Sequence, residues 1–471
     1  MSTGGGRAQL LGTAPGTFNG MTWSTTGFLI ISGNIGLYRM PEGGGSATPF
    51  TVANRPAGEL YQDGPVVVDD EGIVLYSSWP SSAVNAAKIA IASMKTGEVT
   101  VLDIVGSQPL GIIDGVLVYV NANGALMAVP IDVKKRRVTG TPVQLATDVS
   151  VNNGSGLASA SLSAAGTIFY QSGIRQSQLV EVGAGVAPSV VLGESQEYLF
   201  PRLSPDGNRL AVTIGSGDHR DIWLYDLRSR TPARLTSEGT TNERAEWSPD
   251  GKRVLYRTDR DVRTAIWWRP ADMSAGATPL LTGPRMDVFE AVLSPDQLNI
   301  VYQVDTLGAD IYYRALSGDT TSHAIANNGK AIETMPRLSP DGHWIAFVTD
   351  ESGHEEVVVQ PFPGPGGRVQ ISSEGGTEPV WARDGQRLFY RGSGNIMAAT
   401  VHANGPLLDV VRRDSLFADT FLFAANPHAN YDVLPDGKRF LFLKDVNAGE
   451  LIVGVNWTSA LRAKVAEGRR K

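Results

Sequence analysis

One phrase recurs through this chain and limits its fold more than any other feature. It reads LSPDGNRLAVT from Leu203, WSPDGKRVLYR from Trp247, LSPDQLNIVYQ from Leu293, LSPDGHWIAFV from Leu338, WARDGQRLFYR from Trp381 and LPDGKRFLFLK from Leu434. Fainter copies lie upstream: WSTTGFLIIS from Trp23, VDDEGIVLYS from Val68, IIDGVLVYV from Ile112 and LSAAGTIFYQ from Leu162. These turns fall about 46 residues apart, close to the spacing of four-stranded propeller blades.

Each copy has the same internal grammar. A short run ends at a turn whose Asp can bond its own backbone and whose Gly can take positive φ. An alternating β-branched or aromatic run follows, such as Arg253-Val254-Leu255-Tyr256. A polar loop leads to a third run, such as Ile222-Trp223-Leu224-Tyr225, and a short fourth run closes the unit. Four short strands make one antiparallel blade, and radial repetition of blades makes a propeller. The fold class is therefore all-β. Helical character is confined to the segment from Trp457 to Lys471, and residues 461–471 read as a basic C-terminal tail.

The last repeat shows three runs, Tyr431 to Leu434, Phe440 to Leu443 and Leu451 to Trp457, and lacks a fourth. An orphan run near the N-terminus, within residues 8–13, reads as that missing strand. Pairing it with the last blade would remove an exposed edge. The expectation is one ten-bladed ring over residues 1–460, closed by that strand. The alternative is two smaller propellers, four degenerate repeats to about Ser195 and six well-formed ones after it.

Composition narrows the chemistry. Cys is absent, so disulfides, zinc–thiolate sites, iron–sulfur clusters and Cys nucleophiles are excluded. The formal net charge of -7 argues against a sequence-independent nucleic-acid binder, which needs a basic face. No apolar run is long enough to span a bilayer, and MSTGGGRAQLLG lacks the apolar core of a signal peptide.

The phrases LSPDG, WSPDGKR, DIWLYDL and LTSEG resemble the TolB-type, WD-like propeller repeat of bacteria. The stretch from Asp350 to Arg391, containing QPFPGPGG, is more specific. With IGLYRMPEGGGSATPFT from Ile35, NYDVLPDGKRFLFL from Asn430 and the terminal VGVNWTSALR, it resembles the propeller that follows the kinase domain and membrane helix of many bacterial serine/threonine protein kinases. That resemblance implies an extracytoplasmic (periplasmic) sensor or interaction domain. It implies a protein or peptide partner, and the lack of a long apolar run separately implies no membrane insertion by this chain. The kinase domain itself is missing. The letters His219-Arg220-Asp221 are not a catalytic loop, because no Asn stands five residues past the Asp. The chain reads as an excised sensor or a stand-alone relative.

Candidate sites follow from where loops open on a propeller. Glu197, Glu243, Glu290, Glu333 and Glu378 stand near the starts of first strands and would form an acidic channel mouth. Such a mouth would suit a basic peptide or a divalent cation, with no other cofactor expected. The plainer reading is that each accepts hydrogen bonds from a neighbouring blade. Trp79, His219, Asp259, Arg260, Asp350 and His354 lie in or beside the longer loops, where binding residues gather on rigid scaffolds. Trp79 reads as a candidate exposed anchor, or else as a ring packed over a blade edge. No H-E-x-x-H, G-x-S-x-G or Walker A pattern occurs, so the first expectation is a non-catalytic sensor or interaction domain. A metal-dependent enzyme using channel carboxylates and a structural scaffold are the alternatives.

Overall fold

A computed structural model describes residues 10–13, 20–33, 36–80, 86–152, 156–173, 176–183, 185–215, 219–261, 263–283, 287–305, 309–327, 329, 331–364, 366–405, 407–423, 428–446 and 449–468. Among the described residues the strands form ten antiparallel sheets, most of them four-stranded, as expected of a multi-blade β-propeller. They fall into two compact units. The first comprises residues 1–174 and 449–471, and the second residues 175–448.

Unit 1 contains four sheets. Sheet 1 spans residues 21–49, sheet 2 residues 61–105 and sheet 3 residues 108–146. Sheet 4 joins Ala160–Leu162 and Ile168–Ser172 to Glu450–Gly454 from the far end of the chain. The helix Thr458–Gly468 returns onto this unit, and its Leu461 and Val465 are buried with Val118, Val120 and Ile168. The C-terminal segment is thus a packed element and not a free tail, because it has an apolar pair at i, i+4 spacing.

Unit 2 contains six sheets. Sheet 5 is built from both ends of the unit: Ser177–Gly183 and Val186–Val190 pair alongside Tyr431–Val433 and Arg439–Asp445. Sheets 6 to 10 span residues 198–234, 242–281, 287–326, 333–370 and 377–418. The core lies between sheets. Val212, Leu224 and Trp247 belong to the cores that flank sheets 6 and 7, Phe347 and Ile345 pack where sheets 8 and 9 meet, and Phe389 meets Phe440 and Phe442 where sheet 10 meets sheet 5. Leu179, Leu441 and Leu443 then pack on Tyr198 and Leu210 of sheet 6. Six interfaces therefore return to their starting point. The first strands do the same, each touching the next and the sixth touching the first.

This closure corrects two expectations. The place beside Arg439–Asp445 is filled by Ser177–Gly183, with Ser177 opposite Asp445 and Gly183 opposite Arg439. Residues 8 and 9 of the expected clasp lie outside the described residues, and residues 10–13 form no strand. Leu11 instead accepts a hydrogen bond from Gly45 N at the turn of sheet 1. A single ring over residues 1–460 gives way to two units because the apolar faces of sheets 5 to 10 already satisfy one another in a cycle.

The recurring turn behaves as the sequence suggests. Asp206, Asp250, Asp296, Asp341, Asp384 and Asp436 each accept from the backbone N–H two residues on, at 2.9–3.1 Å. Gln297 takes φ 58°, the position that Gly fills in most other copies.

Candidate functional site

Five of the six first strands of unit 2 share a distortion, and Tyr431–Val433 pairs without it. Their pairing with the second strand slips between Leu199 and Arg202, Glu243 and Glu246, Val288 and Glu290, Thr334 and Arg337, and Thr377 and Val380. Four of these bulges hold a non-glycine residue at positive φ: Phe200 at 53°, Arg244 at 57°, Met335 at 56° and Glu378 at 52°. A bulge re-aims the side chains around it. Charged groups from these strands meet others from the sixth first strand and the segment leading into it in one buried network.

Arg202 from sheet 6 meets Glu246 from sheet 7 at 2.8 Å, and Arg337 from sheet 9 meets the same carboxylate at 3.0 Å. Glu290 from sheet 8 lies 2.5 Å from His428 Nδ1 and 3.4 Å from Arg337. Arg202 also donates to the carbonyls of Tyr431 and Ala429, while Asp432 of sheet 5 accepts from Leu203 N. Beside this group, Glu243 is clasped by Arg257 at 2.5 Å, Arg220 at 2.9 Å and Arg244 at 3.5 Å. Glu378 pairs with Arg391 at 3.1 Å and accepts from Asn430 N at 2.7 Å.

The protonation states follow from burial set against partners. Burial disfavours the Glu243 carboxylate, yet Arg244, Arg257 and Arg220 outweigh it and hold the group down at about 2. Burial lowers Arg244 to about 10 despite that carboxylate. Burial raises Glu290, Glu378 and Asp432, with nearby guanidinium groups resisting the rise. Burial, reinforced by Arg202, Arg337 and Arg244, keeps the His428 imidazole neutral. This is a compensated plug of charge. Pairs buried like these add little net stability, while loss of one partner is strongly felt.

The five expected mouth carboxylates are not equivalent. Relative to the bulge they stand at different positions, so they do not make one acidic ring. Glu243, Glu290 and Glu378 belong to the network. Glu197 is half-buried just before its strand. Glu333 is 0% exposed, and neither carboxylate oxygen has a hydrogen-bond partner. Its nearest cation is Arg368, at 3.9 Å. Burial pushes it up to about 7 against the pull of Arg368, with Asp310, Glu351 and Asp350 adding to the rise. Among the described residues no three His, Asp or Glu side chains come together to hold a metal ion.

The loop residues divide as well. Trp79 ends the strand Ile73–Trp79 and is only 5% exposed, packed with Ala87, Ala122 and Tyr61. It is not an exposed anchor, because sheet pairing continues through it to Tyr61. Asp259 accepts from Thr240 N and Thr241 N, and Asp350 accepts from Ile332 N. Both brace the chain as it enters the first strand of their own sheet. Arg260 lies over the Trp267 ring at 4.1 Å and 3.6 Å from Glu238. His219 is exposed, and the following Arg220 and Asp221 serve structure: Arg220 clasps Glu243 and Asp221 accepts from Thr236 and Asn242. His354 Nε2 lies 2.8 Å from Glu356 and its ring remains open to solvent.

His354 helps line a cleft of about 340 Å3 between sheets 9 and 10, with Glu355, Thr377, Arg391, Asp419 and Phe423. Arg391 is fixed by Asp419 at 2.6 Å and by Glu378, while Phe423 is 51% exposed. The cleft thus offers a fixed cation, carboxylates, an imidazole and an aromatic face on the loop side of the unit.

Sequence reasoning missed Arg202, Glu246, Arg337, His428 and Asp432. The signal was present for four of them. The residue two before the Ser of SPDG, or its equivalent, is Arg202, Glu246, Val292, Arg337, Val380 and Asp432 in successive copies. Charges of both signs inside an apolar strand at one repeat position point to mutual pairing around an axis. His428 lies outside any strand and gave no such signal.

Comparison with known proteins agrees with the repeat. The TolB beta propeller domain model, PD40, matches residues 190–309. The Tol-Pal system protein TolB of Francisella tularensis subsp. tularensis is 28% identical over 171 residues, 35% of this chain and 38% of that protein. The match therefore spans well under half of that relative's length. A structure assigned to TolB of Agrobacterium tumefaciens aligns with a TM-score of 0.45 at 17% identity, covering 59% of this chain and 100% of that one. TolB from Acinetobacter baumannii aligns with a TM-score of 0.36 at 16% identity, over 73% of this chain and 80% of that one.

Proposed function

We propose that this chain is a non-catalytic, protein-binding β-propeller whose partner docks on the loop side of unit 2. The observation that carries the reading is the cleft lined by His354, Arg391, Asp419 and Phe423. A half-exposed aromatic ring beside a rigidly held cation is the composition of an interaction hot spot. In the finer form of the proposal the chain is an extracytoplasmic sensor or interaction module of a bacterial signalling system, associated with a serine/threonine kinase. The stretch from Asp350 to Arg391, which resembles the propeller that follows such kinase domains, motivates that form, because it supplies both His354 and Arg391 to the cleft.

A photo-crosslinking amino acid at position 354 tests the reading in the source organism. The expected result is one discrete protein adduct that disappears with Phe423→Asp and persists with Lys252→Glu on the turn side. An absence of adducts, or adducts indifferent to Phe423→Asp, would overturn it.

A further inference from the structure

We infer a second binding site, in unit 1: a groove that takes an alkylammonium or guanidinium group, with Glu59 as its acceptor. The groove lies between the outer edge of sheet 1 with the loop that follows it, and the outer strands of sheet 2. Its volume is about 890 Å3, within the range of small-ligand sites. Phe50, Val52, Val99 and Val101 supply apolar lining, and the three valines are exposed to solvent. Glu59 is part of the lining and is only 7% exposed.

The hydrogen bonding around Glu59 is one-sided. Its Oε2 accepts from Asn54 N at 2.8 Å and from Gln62 Nε2 at 3.0 Å. Its Oε1 is buried and has no partner. The neighbouring polar groups are already committed. Gln62 Oε1 accepts from Thr51 Oγ1, and Gln62 Nε2 also lies 3.3 Å from Tyr76 Oη. The Asn54 side chain accepts from Ala57 N. Lys88 lines the same groove, but its ammonium pairs with Asp103 at 3.2 Å and is spoken for.

Several buried carboxylates in this molecule pair closely with guanidinium groups: Glu243 has three arginines, Glu378 has Arg391 and Glu290 has Arg337. Glu59 has only two N–H donors on one oxygen, beside an apolar groove that opens to solvent. The complement of that arrangement is a donor-rich cation on a short methylene stem. The stem would lie on Val52, Val99 and Val101, and the head would donate to Oε1, a charge-assisted bond of the stronger kind. Such a group comes either as a free small amine or as the Lys or Arg side chain of a protein.

Isothermal titration calorimetry on the full chain tests this, with agmatine and 1,5-diaminopentane as free amines and blocked Ala-Lys-Ala and Ala-Arg-Ala peptides as the protein-borne form. Pentanol and valerate are the neutral and anionic controls. Saturable binding of at least one cation is expected, with neither control binding. Binding by the free amines alone assigns the site to a small amine, and binding by the peptides alone assigns it to a protein side chain. Glu59→Gln keeps an acceptor for Asn54 N while removing the charge, and is expected to weaken binding about tenfold or more. Val101→Trp, on an exposed strand position, closes the groove from outside and is expected to abolish it even if Glu59→Gln does not fold. No saturable binding by any cation, or parental binding in both variants, would overturn the inference. Because the site lies in unit 1, crosslinking at position 354 is unaffected by either outcome.

Discussion

The two units use one repeat to opposite electrostatic ends. In unit 2 the six first strands, YLFPRL, NERAEW, DVFEAVL, ETMPRL, TEPVW and YDV, carry ten charged residues. In unit 1 the corresponding strands, MTWS, YQDGPVVV, QPLGII and ASL, carry one, Asp63. Unit 2 closes on itself through six interfaces, so its first strands face a common axis and its charges can neutralise one another. The apolar clusters of unit 1 join sheet 1 to 2, sheet 2 to 3, and sheet 3 to 4 and the C-terminal helix. There the polar positions are mostly uncharged, such as Gln108, which accepts from Ala158 N at 2.6 Å. The difference teaches that a blade's first strand gathers charge where partners converge from several directions, and otherwise carries little.

That comparison can be broken most sharply at Glu243. Replacing it with Ala leaves Arg220, Arg244 and Arg257 buried around an empty place, and unit 2 is expected to lose about 3–5 kcal/mol. Calorimetry should show one transition moving and the unit 1 transition fixed. Movement of both together would mean that the units do not unfold separately. A smaller effect is expected at Glu333, and it depends on pH. Unfolded, this carboxyl loses its proton near its ordinary value of 4.5, whereas folded it keeps the proton to about 7. The folded chain then binds the extra proton, so stability falls as pH rises through that window and the loss is complete above it. Glu333→Gln should remove the fall, gaining about 1–3 kcal/mol at pH 8 with little change at pH 4. Denaturant titrations at both values would show it. The smallest effect is expected in unit 1. Lys88→Ala breaks an ion pair whose Asp103 side chain is 99% exposed, and stability should stay within about 0.5 kcal/mol. A larger loss would mean that unit 1 also relies on charge.

The blade was legible in the sequence because its turn is local. The Asp of SPDG bonds a backbone group two residues away, and that chemistry does not depend on the rest of the fold. Strand partnership is not local, and there the sequence misled. Tyr431 to Leu434, Phe440 to Leu443 and Leu451 to Trp457 look like one incomplete blade. The first two join sheet 5 with Ser177–Gly183, and the third joins sheet 4 with Ile168–Ser172. Any apolar run satisfies either neighbour, so composition could not decide between them. The candidate site failed for a related reason. Glu243, Glu333 and Glu378 look alike as carboxylates near the starts of first strands, yet they stand seven, eight and six residues before their turn Asp. The bulge at Arg244, Met335 and Glu378 separates them: Glu378 sits at the bulge itself, Glu243 one residue before it and Glu333 two before it. One clasps three arginines, one is left without hydrogen bonds, and one bridges Arg391 to Asn430. Trp79 was misjudged because the turn-rich residues after it hid the strand that ends in it.

The pairing of Ser177 with Asp445 has a consequence for synthesis. Unit 2 is an insertion within unit 1, and its two ends meet in one sheet. A ribosome releasing the chain from its N-terminus delivers most of unit 1 first, yet sheet 4 cannot receive its third strand, Glu450–Gly454, until all of unit 2 has emerged. Unit 2 can close as soon as Asp445 is free, whereas unit 1 must wait in an unfinished state. The nascent chain is therefore expected to lock its later half before its earlier one, an inversion of the usual order in which domains mature.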